Sequence, residues 1–400
     1  MSRVLYRDGA LADGRSERLQ VGVSILVDDG RIVWIRPADD EGPGIAGAEV
    51  IDASGATFVP GMVDGHSHLT LPGGAHWIER IEDDPAALVA AAELNARLLT
   101  ASGVRWARDV GAPVVRDPAD GRVRALSLGL KERWRGRAGY PYVRAAGTWL
   151  DRAGTFPGER MAAARDADEL LGLAMRQLDD GADLLKLYLD GPERGVAPWS
   201  GDEVGRVVVA AHARGARVTA HTSDLPGARV GVAGGVDSLE HGDELDAEVA
   251  AAMARQGTAL VSTLTVFRSW QTFGATTRLP RFIGDEGQAR LAARYERARE
   301  SVRTAHAAGV AIATGTDFGG GSSRAGQLAW EVESLVEAGL QPWEALGAAT
   351  WRGGELLGEP EAGVLREDGP ADFFLVHGDP LSDPASLWRV WRVAWVDGGA

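Results

Sequence analysis

The peptide PGMVDGHSH, residues 60–68, is the strongest structural signal in the chain, because an apolar run ends there in two histidines one residue apart. Alternate residues of a β-strand point to the same side. His66 and His68 therefore direct both imidazoles at one point, where they can hold a metal ion. A purely structural role is the weaker interpretation, since two adjacent imidazoles in a core would need two buried partners.

Four more short apolar runs contain or end in a residue that can bind a metal ion. When parallel strands form a barrel, their carboxyl ends lie on one face, and that face holds the chemistry. The order of the runs therefore predicts that six side chains converge there. The four runs are GADLLKLYLD (181–190) with Lys186, VTAHTSD (218–224) with His221, SLEHGDE (238–244) with His241, and IATGTDFGG (312–320) with Asp317.

Lysine is almost absent from the chain, which makes its position inside the run LLKLYL informative. Of 42 basic residues, Lys131 and Lys186 are the two lysines. A strand of a parallel sheet is buried on both faces, where an unpaired ammonium is costly. A deprotonated lysine can react with carbon dioxide to give a carbamate that bridges two cations, whereas arginine stays protonated. An ion pair between Lys186 and Asp183 is the structural alternative.

Strands alternate with amphipathic stretches from about residue 59, which predicts right-handed βαβ units. Together with the length of 400 residues, this favours an α/β fold with a (β/α)8 barrel over residues 59–359. Short alternating strands at both ends predict a small β-sandwich domain from residues 1–58 and 360–400. One long irregular segment is expected at 264–285. The eight predicted barrel strands are 58–66, 103–111, 142–149, 182–190, 216–221, 235–241, 258–264 and 310–317.

Composition excludes several kinds of partner and chemistry. With 57 acidic and 42 basic residues, the net charge of −15 opposes binding to nucleic acid or to anionic membranes. The absence of cysteine excludes disulfides, thiolate metal sites and thiol nucleophiles. Residues 1–15 carry no apolar signal core, and no run of about 18 apolar residues occurs. These features predict a cytoplasmic protein.

The ordered set of motifs resembles the amidohydrolase superfamily, and within it the imidazolonepropionase-like branch that includes metal-dependent dipeptidases and carboxypeptidases. The resemblance covers essentially the whole chain. Single motifs of this kind are weak, but the ordered set is specific. Besides the runs quoted above, it rests on GVRWARDVG (103–111), on PWEALGAATWRGGELLG (342–358) and on GVLREDGPADFFLVHGDPL (363–381).

The resemblance implies two divalent cations per chain, Zn2+ or another divalent metal, and a hydrolytic reaction on a small molecule. His66, His68 and Asp317 would hold one cation. His221 and His241 would hold the second, and carboxylated Lys186 would bridge the two. Asp317 would accept the proton of the attacking water and pass it to the leaving amine.

Two departures from the family pattern concern substrate binding. The dipeptidase-like relatives carry a histidine after strand three, but the segment 147–160 has none, and Phe267 stands where they place a tyrosine. Tyr188, two residues beyond Lys186 on the same strand face, is the predicted replacement as oxyanion donor. Arg108 and Asp109 are expected to pair beneath the site.

Loops after the predicted strands bring aromatic and basic residues towards the barrel mouth. This combination suggests a bulky apolar or aromatic substrate group beside an acidic one. The expected substrate contacts are His76, Trp149, Phe267 and Arg324, with Trp77, Phe156, Trp199, Arg268 and Trp270 nearby.

The predicted reaction is cleavage of an amide-type C–N bond in an N-acyl amino acid, a dipeptide-like compound or a cyclic amide. Hydrolysis of a lactone, carbamate, urea or phosphoester, or deamination, stays open on the same site. A catalytically inactive scaffold is the alternative outside enzymes, and six intact ligand positions argue against it. Association of copies of the chain into a homo-oligomer also stays open.

Overall fold

Strands carry most of the candidate site, and their bounds locate it. The computed structural model describes residues 3–42, 44–155 and 160–395. The strands in this part are β1 Arg3–Leu11, β2 Gln20–Asp28, β3 Arg31–Pro37, β4 Glu49–Asp52, β5 Ala56–Pro60, β6 Met62–Ser67, β7 Val104–Asp109, β8 Val114–Arg116, β9 Val123–Ala125, β10 Tyr142–Ala145, β11 Trp149–Arg152, β12 Ala162–Ala164, β13 Leu184–Tyr188, β14 Arg217–Thr222, β15 Ser238–His241, β16 Ala259–Ser262, β17 Ile312–Thr314, β18 Phe373–His377 and β19 Val390–Ala394.

The helices between these strands begin at capping residues and several end at glycine. Asp166 caps α3 and Ser200 caps α4, each accepting backbone N–H groups of the first turn. Gly257 and Gly358 follow α6 and α11 with left-handed φ values of 78° and 73°. The helices are α1 Pro85–Ala101, α2 Leu126–Trp134, α3 Ala167–Asp179, α4 Gly201–His212, α5 Leu225–Ala233, α6 Ala247–Gln256, α7 Thr265–Thr276, α8 Asp285–Ala307, α9 Leu328–Glu337, α10 Pro342–Ala348 and α11 Trp351–Leu357.

The chain has an α/β fold in which parallel strands form two sheets. One has the order β10-β7-β6 and the other β12-β11-β13-β14-β15-β16-β17, with parallel pairing throughout. The backbone N–H of Asp183 donates to Ala145 O at 2.8 Å, and that of Asp317 donates to His66 O at 2.8 Å. These bonds connect the two sheets on two sides, while a closed eight-stranded barrel stays a prediction.

Both ends of the chain meet in a separate sheet of seven strands. Its order is β19-β18-β5-β1-β2-β3, with β4 beside β1. Strand β18 pairs antiparallel with β5, so that Phe373 lies opposite Pro60. One face of this sheet buries Tyr6, Phe58 and Phe373, whose rings meet edge to face at 5.0 to 6.3 Å. The two-layer sandwich and the domain boundaries stay predictions.

Two predicted strands are divided, and one predicted loop is helical. The strand expected at 58–66 breaks at Gly61, because β5 belongs to the sheet of the chain ends and β6 to a parallel sheet. The strand expected at 142–149 divides into β10 and β11. The expected irregular segment 264–285 is wrong in its first half, where α7 lies. Val266, Trp270 and Phe273 have helical spacing, but the Thr- and aromatic-rich composition of α7 has low helix propensity.

A membrane-spanning helix is not found among the described residues, since none of their helices combines sufficient length with sufficient apolar character.

Candidate metal centre

The six predicted metal ligands line one cavity of about 260 Å3, near the carboxyl ends of parallel strands. This placement agrees with the general position of chemistry in parallel α/β barrels. The structure therefore brings together all six candidates. They are His66, His68, Lys186, His221, His241 and Asp317, and the same cavity is lined by Trp77, Trp149, Tyr188, Asp243, Thr263, Phe267, Trp270 and Arg294 among others.

The closest contacts in the cavity lie around Asp317. Its Oδ1 atom is 3.3 Å from Nε2 of His66 and 3.2 Å from Nε2 of His68. Donor atoms at about 2.1 Å from a tetrahedral zinc ion lie about 3.4 Å from one another. Single ligand atoms of His66, His241 and Asp317 also lie within 4.8 Å of one another. These spacings fit a divalent cation.

Both histidines of the first strand have one ring nitrogen already engaged. Nδ1 of His66 lies 2.7 Å from Oε2 of Glu240, and Nδ1 of His68 lies 2.7 Å from the carbonyl oxygen of Gly111. These partners accept hydrogen bonds, so each Nδ1 carries the proton. In the neutral imidazole the Nε2 atom then has its lone pair free for a metal.

The other two histidines are oriented in the same way by different partners. Nε2 of His221 lies 3.0 Å from Oδ2 of Asp190, which leaves Nδ1 as the free nitrogen. Nδ1 of His241 lies 2.7 Å from Oγ1 of Thr263, which leaves Nε2. The sequence prediction missed both partners, although Asp190 ends the same apolar run that contains Lys186.

Two of the candidate ligands have an unusual backbone conformation. His241 has φ 68° and Asp317 has φ 50°, in the left-handed region that few residues other than glycine adopt. Hydrogen bonds hold both segments: Gly242 N donates to Thr222 O at 2.9 Å, and Asp317 N donates to His66 O. Such conformations cost about 1–3 kcal/mol each and cluster at functional sites.

Lys186 is buried and unsatisfied. Its Nζ atom has no hydrogen-bond partner in the described part of the chain, and only 1% of the residue is exposed. The predicted alternative, an ion pair with Asp183, is wrong, because Asp183 pairs with Lys131 at 2.9 Å. Burial outweighs the nearby charges of Glu240 and Asp317 and lowers the pKa of Lys186 to about 8. A minor fraction of the amine is therefore neutral near physiological pH, and this is the form that carbamate formation requires.

The charge states of the other candidates suit metal binding. Burial lowers the pKa of His66, and burial together with His221 and His66 holds that of His241 well below its ordinary value, so both imidazoles are neutral. Burial alone would raise the pKa of Asp317, but its contacts with the imidazoles of His66 and His68 outweigh burial and hold that pKa well below its ordinary value. Asp317 is therefore an ionised carboxylate.

Tyr188 lies in the same cavity, as its strand position predicts. Its ring stacks on the His221 imidazole, with centres 4.1 Å apart and planes at 10°. Burial, followed by the charge of Asp190, raises the pKa of Tyr188 well above its ordinary value. The phenol stays protonated and can donate a hydrogen bond.

The predicted pair of Arg108 with Asp109 is wrong. Neighbouring strand residues point to opposite sides, and Arg108 donates instead to Oε1 of Glu240 at 2.5 Å. Asp109 accepts the backbone N–H groups of Leu69 and Gly111. Glu240 also accepts a hydrogen bond from Thr219. The sequence signal that could have identified Glu240 is its position in an apolar run beside His241, because a buried glutamate needs a partner.

The predicted substrate contacts fall into two groups. Trp149 and Phe267 line the cavity, and the Trp149 ring stacks on His68 with centres 5.0 Å apart. His76 and Arg324 are exposed and are not among the described residues that line it. The loops that carry them follow β6 and β17 but turn their side chains to solvent. Phe156 lies outside the described residues.

Comparison with protein-family models matches the amidohydrolase family over residues 57–398. An uncharacterized protein of Mycobacterium tuberculosis is 32% identical over 385 residues, which cover 93% of each chain. The imidazolonepropionase of Saccharopolyspora erythraea is 27% identical over 385 residues, which cover 92% of this chain and 89% of that protein.

Among solved structures, a Xaa-Pro dipeptidase with methionine bound in its active site superposes on the whole of this chain. The alignment covers 100% of both chains with a TM-score of 0.82 and 24% identity. At that identity the likeness establishes the fold alone. The family matches confirm the resemblance found in the sequence.

Proposed function

The chain belongs to the amidohydrolase family and is a hydrolase that acts on carbon–nitrogen bonds, and from that premise we propose that it cleaves an amide-type bond of a small molecule at a binuclear metal centre. The family is generally metal-dependent. The observation that carries the proposal is the unpartnered, buried Nζ of Lys186 among four histidines and a carboxylate. Its substrates would be N-acyl amino acids, dipeptide-like compounds or cyclic amides.

The donor set fits two divalent cations such as Zn2+. His66, His68 and Asp317 would hold one, and His221 and His241 the other. Carboxylation of Lys186 replaces an unsatisfied amine with two carboxylate oxygens, which would bridge the pair. When bound, the cations supply Lewis acidity, which lowers the pKa of a water and polarises the substrate carbonyl.

The protein's own groups would move the protons and hold the charge. Asp317 is ionised, so it can accept a proton from the attacking water and deliver it to the leaving nitrogen. The pKa of Tyr188 is raised by burial, so the phenol stays protonated and can donate to the developing oxyanion. The rings of Trp149 and Phe267 in the cavity wall would exclude bulk water and receive an apolar part of the substrate.

The fold context of this proposal is a closed eight-stranded barrel over residues 59–359, with residues 1–58 and 360–400 forming a small β-sandwich domain. The bond from Asp183 to Ala145 supports closure on one side of the parallel strands. The bond from Asp317 to His66 supports it on the other. Cytoplasmic location and any homo-oligomer stay predictions.

The test is a turnover screen of the purified protein loaded with zinc. Substrates would include N-acetyl-phenylalanine, N-acetyl-alanine, N-acetyl-aspartate, a cyclic imide, a lactone, a phenylurea, a phosphotriester and an aminopurine. Hydrolysis of the acylated amino acids that is lost on chelation and restored by zinc is the expected result. Activity confined to the lactone, the phosphotriester or deamination would overturn the proposed substrate class.

A further inference from the structure

The cavity of the candidate metal centre has a charged group on its wall that the predicted site did not include, the guanidinium of Arg294. Arg294 lies on α8. Its Cζ atom is 4.9 Å from the ring centre of Trp270 and 5.6 Å from that of Phe267, and both rings also line the cavity. Contact with ring faces supports a guanidinium while leaving its N–H groups free to bind an anion.

Arg294 differs from the other arginines of α8 in forming no ion pair within 4.0 Å among the described residues, although its charge lowers the pKa of Asp243 in the same cavity. The residue is exposed. A guanidinium beside a cavity that forms no ion pair keeps N–H groups available for a ligand. The others each form an ion pair: Arg290 with Glu286, Arg297 with Glu244, Arg299 with Glu296, and Arg303 with Glu296 and Glu300.

The two arginines expected from the sequence to bind an acidic substrate group are not placed to do so. Arg268 forms ion pairs with Glu333, at 3.3 Å, and with Glu337. Arg324 is exposed and is not among the described residues that line the cavity. Asp243 also lines the cavity, and burial raises its pKa to about 7 against the opposing charge of Arg294, so its negative charge is weakened near neutral pH. Arg294, which lines the cavity and forms no ion pair within 4.0 Å among the described residues, is therefore better placed than Arg268 or Arg324 to bind an anion.

We propose that Arg294 binds a carboxylate of the substrate and so makes the enzyme selective for N-acyl amino acids in their anionic form. The planar guanidinium can hold the carboxylate through two parallel hydrogen bonds. The substrate side chain would then lie against Trp270 and Phe267, and the acyl amide would reach the metal ligands. This inference rests on the proposed function and names its substrate class.

The test compares two substrates that share the scissile amide and the ring. N-acetyl-L-phenylalanine carries the carboxylate, and N-acetyl-2-phenylethylamine lacks it. In Arg294→Ala, the ratio of kcat/KM for the first to that for the second should fall by about 10- to 100-fold, as for a lost charged hydrogen bond. Arg294→Lys should lose less. Arg290→Ala, on the same helix but paired with Glu286, should keep the wild-type ratio. An unchanged ratio in Arg294→Ala overturns the proposal.

A binding measurement separates this inference from the proposed function. If the zinc-loaded wild type hydrolyses neither compound, the amide-hydrolase proposal fails for this class, and calorimetric titration with the same two compounds decides on Arg294. Binding of N-acetyl-L-phenylalanine that weakens at least about tenfold in Arg294→Ala, with no equal loss for the neutral compound, supports the anion site. Equal affinity of both proteins for the acid overturns it.

Discussion

Nδ1 of His66 lies 2.7 Å from Oε2 of Glu240, and both side chains are buried. The other oxygen of Glu240 accepts from Arg108 at 2.5 Å. Because the carboxylate keeps the proton on Nδ1, the Nε2 lone pair of His66 is directed at the centre, 3.3 Å from Asp317 Oδ1. Glu240 thus orients a candidate ligand while its own charge is balanced by arginine.

The first prediction concerns Glu240→Gln. The amide that replaces the Glu240 carboxylate has one oxygen, so it cannot accept hydrogen bonds from both His66 and Arg108. One of these two donors then faces the NH2 group of the amide. Metal affinity should fall by about 10- to 100-fold, as for other groups that orient metal ligands. Arg108 also keeps a buried charge without a counter-charge, so the free energy of unfolding should fall by about 3–5 kcal/mol. Chelator competition and urea unfolding measure the two effects.

The matched control for this variant is Glu344→Gln. Glu344 also contacts a histidine, His306, at 3.3 Å, but on the surface. The Glu344→Gln variant should bind metal with an affinity close to that of the wild type. Wild-type affinity in Glu240→Gln would contradict the orienting role.

The second prediction compares the two lysines. Lys186→Arg removes the group that can be carboxylated, so elemental analysis should find one divalent ion per chain or fewer, against two in the wild type, and turnover should be lost. Lys131→Arg keeps an ion pair with Asp183 and should retain both metals. Short carboxylic acids should partly rescue Lys186→Ala by supplying the bridging oxygens. A content of two divalent ions per chain in Lys186→Arg would contradict the bridging role of Lys186.

The location of the site was predictable from the sequence because it depends on order and strand alternation alone. His66 and His68 share a strand face, and the carboxyl ends of parallel strands meet, so local patterns determine where His221 and Asp317 lie. The groups that orient these ligands were not predictable. Thr263 and Gly111 meet their histidines only through tertiary packing between strands.

The orientation of loop side chains was the other property that the sequence did not predict. Whether Arg324 faces the cavity or solvent depends on loop geometry that no periodicity encodes, and the structure turns it outwards. Arg294 shows the converse case. It lies on α8 among similar arginines, and it is distinguished by forming no ion pair within 4.0 Å among the described residues and by its contacts with two cavity rings.

The third prediction concerns the pH dependence of the metal-free protein. The pKa of Lys186 is lowered from 10.5 to about 8 by burial. Between these values the unfolded chain binds the proton and the folded one does not, so stability rises as pH rises from about 8 to 10.5. At about pH 7 and below both states are largely protonated, and the burial cost persists at roughly 1.4 kcal/mol per unit of pKa shift.

Lys186→Met removes that cost. In metal-free buffer without carbon dioxide, this variant should unfold with a free energy about 3 kcal/mol higher than the wild type at pH 7. The difference should shrink towards pH 10. Urea titrations at the two pH values measure it. A wild type that is the more stable protein at pH 7 would show that Lys186 has a stabilising partner in the folded state.

The last prediction separates proton transfer from metal binding at Asp317. Asp317→Asn keeps an oxygen near His66 and His68 but cannot accept a proton, so metal content should be largely retained while kcat falls by roughly 100-fold or more. Elemental analysis and steady-state kinetics on the same sample measure both. Asp40→Asn, at an exposed position in the short 3-10 helix Ala38–Asp40 that follows β3, is the control and should change neither. If kcat in Asp317→Asn equals that of the wild type with both metals bound, another group accepts the proton of the water. Loss of both metal and activity would instead assign Asp317 only a metal-binding role, because the reaction would then fail for lack of the cations.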